Sequence, residues 1–191
     1  MNRITKARQE TKPARSSAQT ASRERHSIAL ADDHPMTRFG LAQLIGGQPD
    51  LQVVAEAGSP VEAMTALSKL KVDLLITDLT MPGRSGLDFI KDIHAIHPDL
   101  PILVVSMHDE LLHAERALKA GARGYVMKEA GGERLIQAIH RVLNGQVYVS
   151  EKMSAAILDN LSGRKSRASN SPIKRLTDRE FPVFQMIGQK S

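Results

Sequence analysis

The chain has no cysteine and no tryptophan in its 191 residues. Without thiols it can build neither a disulfide framework nor a thiolate metal site, a composition that fits a reducing, cytoplasmic compartment. It also lacks any run approaching the roughly 18 apolar residues that a membrane span needs. Residues 1–25 contain no apolar stretch of the kind a secretory signal requires, so no membrane role is expected. What is present is an apolar content of 41%, enough for one ordinary domain with a smaller module or tails.

The formal charge of +5 is unevenly spread. Residues 1–25 hold seven Lys or Arg and two Glu, net +5; residues 26–162 hold 12 basic and 17 acidic side chains, net −5; residues 163–191 hold seven basic and two acidic, net +5. An acidic globule between basic ends is the simplest reading. Residues 1–25, rich in Ser, Thr, Arg and Lys, read as a disordered, solvated basic tail.

The most informative stretch is VDLLITDLTMP, residues 72–82. An apolar run ends in Asp78 and then in the turn pair Pro82-Gly83, which reads as a buried parallel strand over 73–77 delivering one acid to the C-terminal edge of a sheet. The rest of the middle region repeats the theme. Ile28 to Leu30 is a short strand ending in Asp32 and Asp33; Pro101–Ser106 ends in a hydroxyl; Gly124–Met127 ends at Lys128. Leu51–Ala57 is a further strand. Between them lie helices predicted over 36–45, with Met36, Phe39, Leu41, Leu44 and Ile45 as the apolar stripe, from Ser59-Pro60 onward with Ser59 as N-cap, and over 86–96, 109–120 and 133–143. Five strand and helix pairs in alternation predict an α/β fold, one parallel sheet wrapped on both faces. The domain is expected over 26–146, followed by a connecting helix at 151–161 and a basic linker to residue 175.

Acids brought side by side at one sheet edge repel, by about 4 kcal/mol for unit charges ~4 Å apart at an effective dielectric of 20. Such a cluster needs a cation, and with oxygen ligands and no cysteine the hard ion Mg²⁺ fits best. Carboxylate, Mg²⁺, lysine and hydroxyl are together the parts for phosphoryl transfer, in which a carboxylate can itself be the nucleophile. Singly, Ser106 is an ordinary strand-end hydroxyl, Lys128 a solvated lysine and Tyr125 a core aromatic; their joint placement carries the reading. The seven histidines, His94 and His97 among them, are expected at the surface or boundary and not as metal ligands, because no well-placed carboxylate joins them.

DDHP at 32–35, DLTMPGRSGLDFI at 78–90, VVSMHDE at 104–110 and GARGYVMKEA at 121–130 resemble the receiver domain of two-component response regulators, in particular the NarL/FixJ subfamily with a LuxR-type DNA-binding end. The resemblance implies a flavodoxin-like sheet of order 2-1-3-4-5. It implies Asp78 as acceptor of a phosphoryl group from a histidine kinase, with Lys128 and Ser106 pairing to that group. Mg²⁺ would be held by Asp32, Asp33, Asp78 and the Thr80 backbone carbonyl, and Ser106 and Tyr125 would be the residues that switch. Such a protein is a signalling switch and not a turnover enzyme, and homodimerisation on phosphorylation is an expected response.

Residues 176–191, LTDREFPVFQMIGQKS, resemble the opening of the LuxR-type helix-turn-helix, with Thr177 as N-cap and Glu180 three residues on. Pro182 departs from a regular first helix. Major-groove readout needs the recognition helix that follows in such a module, so DNA binding is expected only where that helix is supplied. The alternative function is a stand-alone receiver or phosphate sink acting through protein contacts. A phosphohydrolase of the haloacid-dehalogenase type would want an acid two residues after the nucleophile, where Thr80 stands.

Overall fold

The computed structural model describes residues 25–161, the side chains of 160 and 161 excepted. The basic tail at 1–24, the linker at 162–175 and the helix-turn-helix resemblance at 176–191 lie outside the described residues. Five strands, β1 (His26–Ala31), β2 (Leu51–Ala57), β3 (Leu74–Thr77), β4 (Ile102–Ser106) and β5 (Gly124–Met127), form one parallel sheet in the order 2-1-3-4-5, as expected. The helices are α1 (Pro35–Gly46), α2 (Pro60–Leu67), α3 (Gly86–Ile96), α4 (Glu110–Ala120), α5 (Gly132–Leu143) and α6 (Glu151–Leu161).

The two faces of the sheet follow from the period of two along each strand. Ile28, Leu30, Leu74, Ile76, Leu103, Val105 and Val126 point to one side, where Ile45 of α1 and Leu135, Ala138, Ile139 and Val142 of α5 cover them. Ala29, Ala31, Leu75, Ile102, Val104 and Tyr125 point to the other, beneath α2, α3 and α4. Both faces are buried, which is why the strands read as unbroken apolar runs. α2 starts as its sequence says: Ser59 Oγ accepts from the Glu62 N–H at 3.3 Å, and Glu62 in turn accepts from the Gly58 N–H at 2.8 Å. α4 closes at Gly121, whose φ of 116° suits glycine and whose missing Cβ leaves room for the His94 ring.

α1 corrects one expectation. Met36 and Phe39 are 82% and 60% exposed, so the inward stripe of α1 is carried by Ile45, with Leu41 and Leu44 at its margin. The packing also continues past residue 146. Tyr148 bridges to β5 and Met153 of α6 is buried in the cluster beneath α4.

Candidate phosphoacceptor site

Parallel strands deliver their last residues to the same edge: Asp32, Asp78 and Lys128 follow directly on β1, β3 and β5, and Ser106 is the last residue of β4. Backbone bonds hold the acids in the ladder: the Asp32 N–H donates to the Ala57 carbonyl at 3.0 Å and the Asp78 N–H to that of Ala31 at 2.9 Å. After β3 the chain turns at Pro82-Gly83, with Gly83 at φ 87°, and pairs Thr80 with Ser85 and Met81 with Arg84 in a short antiparallel ladder. Gly86 then starts α3 so close to the loop that any Cβ would run into the Leu79 carbonyl.

Lys128 Nζ lies 2.7 Å from Asp78 Oδ2 and 2.7 Å from Asp32 Oδ2. The contact to Asp78 is a well-aligned hydrogen bond. That to Asp32 is ionic and off the hydrogen-bonding direction, which leaves Asp32 Oδ2 a buried acceptor without an aligned donor. Burial acts to lower the Lys128 pKa, but the two carboxylates outweigh it and raise the ammonium above its ordinary value. Asp78 Oδ1 accepts from the Leu79 N–H at 2.6 Å, and Asp32 Oδ1 from the His34 N–H at 2.8 Å.

Asp33 Oδ1 is likewise buried without an aligned donor, although His34 Nδ1 faces it at 2.8 Å. One ligand atom from each of Asp32, Asp33, His34 and Asp78 falls within 4.8 Å of the others. A donor set dominated by carboxylate oxygen, two of its atoms lacking aligned donors, fits a hard divalent cation. His34 lies at the surface, as expected of the histidines, but Asp33 stands beside its ring, where no well-placed carboxylate was expected. Its place immediately after Asp33 was the signal that could have found it.

Ser106 is fully buried at the end of β4, its Oγ accepting from the His108 N–H at 3.4 Å. The Tyr125 ring is buried beneath α4, its hydroxyl donating to the His108 carbonyl at 2.8 Å, and burial holds its phenol pKa well above the ordinary value. The Thr80 side chain, exposed on the loop after β3, has Oγ1 2.7 Å from His108 Nε2. His108 stacks on His113 at 4.7 Å between centroids. His113 is buried, against the surface placement expected for the histidines, and burial, then the neighbouring His108 and Arg116, lower its pKa to about 4. His94 is exposed and His97 half-buried, as expected. The structure therefore brings Asp32, Asp33, Asp78 and Lys128 into one cluster, with Ser106 and Tyr125 on the two neighbouring strands.

Comparisons with known proteins agree with this fold. The family described as the response regulator receiver domain matches residues 28–140. The oxygen regulatory protein NreC of Staphylococcus carnosus is 34% identical over 166 residues, covering 85% of this chain and 76% of that protein. A crystal structure of a LuxR-family two-component response regulator from Aurantimonas sp. SI85-9A1 matches with a TM-score of 0.68 and 34% identity over 73% of this chain and 99% of that one. RcsB of Salmonella enterica serovar Typhimurium, solved bound to promoter rprA with a beryllofluoride phosphomimetic, matches with a TM-score of 0.67 and 26% identity over 87% and 79% of the two chains. A sheet of order 2-1-3-4-5, an acid cluster with its lysine at one edge, and a family match across most of the described residues lead to one conclusion: this chain belongs to the response regulator receiver-domain family.

Proposed function

We propose that Asp78 accepts a phosphoryl group from the phosphohistidine of a histidine kinase, and that the modified domain switches conformation to control transcription. The observation that carries this reading is the environment of Asp78. Its carboxylate is 3% exposed at the sheet edge, one oxygen tied to the Leu79 N–H and the other held by Lys128 beside Asp32.

In the reaction an Asp78 oxygen attacks phosphorus. The new O–P bond forms as the P–N bond of the donor breaks, and the electron pair leaves on the imidazole nitrogen, which takes a proton from solvent. Asp32, Asp33, Asp78 and the Thr80 carbonyl would hold Mg²⁺, which when bound supplies positive charge to the phosphoryl oxygens. Lys128 pairs with a phosphoryl oxygen in place of a carboxylate oxygen. The Ser106 hydroxyl donates to another.

A phosphoryl group adds about −1.5 to −2 charges and three strong acceptors. Groups that gain this partner bias the surrounding elements between two states. Ser106 draws the β4–α4 connection toward the phosphoryl group, and Tyr125, bonded to the His108 carbonyl in that connection, changes rotamer with it. Homodimerisation on modification and a cytoplasmic location accompany this reading. DNA contact would come through a helix-turn-helix of which residues 176–191 resemble the opening; RcsB is a relative solved on DNA. The site roles follow the positions named for the family resemblance.

The test is incorporation of phosphate from acetyl phosphate with and without Mg²⁺, followed by intact mass and peptide mapping. The expected result is a Mg²⁺-dependent adduct on Asp78 that is absent from Asp78→Asn. Stable incorporation into Asp78→Asn at the wild-type level would sink the assignment.

A further inference from the structure

The segment that follows α5 is bonded both to β5, which carries Tyr125, and to the first turn of α4. Tyr148 forms a parallel bridge with Gly124; its carbonyl accepts from the Tyr125 N–H at 2.9 Å, and its own N–H donates to the Arg123 carbonyl at 3.0 Å. Two residues later the Ser150 N–H donates to Glu110 Oε1 at 2.7 Å. The Ser150 hydroxyl accepts from the Met153 N–H at 3.1 Å, so Ser150 is the N-cap of α6 and Glu110 supplies a second acceptor at the same helix end. α6 then lies along α4, with Met153 in the same buried cluster as Ala114, Ala117 and Tyr125.

Glu110 is unusual for an acid on an amphipathic helix because it is only 8% exposed. A buried carboxylate is retained where it is hydrogen-bonded, and a helix N-terminus with free N–H groups is a favourable place for it. Glu110 also opens α4, four residues after Ser106. The connection between them carries the His108 carbonyl that receives the Tyr125 hydroxyl, and Asp109, which caps α4 by accepting from the Leu111 N–H at 2.8 Å. A displacement of this connection carries the first turn of α4, and with it the carboxylate that holds α6.

We propose that Glu110 couples the phosphoacceptor site to α6: modification of Asp78 shifts the β4–α4 connection, breaks the bond from Ser150 to Glu110, and loosens α6 from α4. The proposal rests on the phosphoacceptor reading above. Glu110 touches none of the acid cluster, so it is a positioning residue whose effect is read at α6.

The experiment is hydrogen–deuterium exchange of the full chain before and after treatment with acetyl phosphate and Mg²⁺, with intact mass measured on the same samples. On modification the amides of residues 150–157 are expected to exchange roughly tenfold faster, the size expected for losing one hydrogen bond to a carboxylate, while those of β1 and β3 hold their rates. Glu110→Ala shows the faster exchange without modification and gains little from it. Glu110→Gln, which keeps an acceptor oxygen, falls between Glu110→Ala and wild type. A modified chain whose 150–157 amides exchange at the unmodified rate overturns the coupling and leaves the phosphoacceptor assignment standing. A folded chain that takes up no phosphoryl group overturns that assignment, and the coupling with it. Wild-type exchange at 150–157 in unmodified Glu110→Ala overturns the role of Glu110 in either case.

Discussion

Lys128 decides the state of the site at the scale of single residues. Its ammonium lies between two carboxylates that are almost wholly buried, so removing it leaves both without a counter-charge. Breaking a buried ion pair from one side costs about 3–5 kcal/mol. Lys128→Met is therefore expected to lower stability by a few kcal/mol in urea denaturation without divalent cation, and Asp78→Asn in that background is expected to recover part of the loss. Equal stability of Lys128→Met and wild type would show that the acids do not need the ammonium. The pKa of Lys128 is raised, so its contribution is complete below the ordinary lysine value of 10.5 and is lost only as pH climbs through the higher folded value. Lys128 itself should accordingly contribute no pH dependence across neutral pH.

At the scale of elements, α4 contains a group whose titration is moved by folding. His113 is held neutral by burial, its pKa near 4 against 6.5 in the unfolded chain, so the unfolded state binds more protons between those values. Stability is expected to fall as pH drops from 6.5 toward 4, and His113→Gln should flatten the pH dependence of the urea midpoint over that window. The start of α2 makes a simpler case. Ser59→Ala removes the N-cap acceptor for the Glu62 N–H and should cost about 1 kcal/mol with no change in phosphate uptake. The loop after the acceptor strand is more exacting: Gly86→Ala places a methyl against the Leu79 carbonyl next to Asp78, so both stability and uptake should fall. Strand and helix positions were legible in the sequence because each carries its own period and its own stop signal. Leu51–Ala57, Gly86–Ile96 and Gly124–Met127 appear with the bounds expected. The outward turn of Met36 and Phe39 was not legible, because periodicity gives the existence of an apolar stripe and only packing says how far round the helix it is covered.

For the whole molecule, the acid cluster is expected to make stability depend on divalent cation. A ligand that binds only the native state stabilises by about 1.4 kcal/mol at ten times its dissociation constant. Millimolar Mg²⁺ is expected to raise the melting temperature of wild type, and Asp33→Asn should remove most of that rise; an equal rise in both would place the ion elsewhere. The family's signalling role and the sheet that supports it belong to this scale, since Asp32, Asp78, Ser106 and Lys128 stand at the ends of four strands and come to one edge only when the sheet assembles.

Residue order alone specified the alternation of strands and helices, the strand-end position of each acid, hydroxyl and lysine, and hence the family, because these depend on local period and on motifs a few residues long. Tertiary structure decided which groups touch. Lys128 bridges Asp32 and Asp78 across 96 and 50 positions of chain, His113 is buried against His108, and Glu110 reaches Ser150. Such contacts depend on how neighbouring strands register and how helices lie over them, and no short stretch of sequence carries that information.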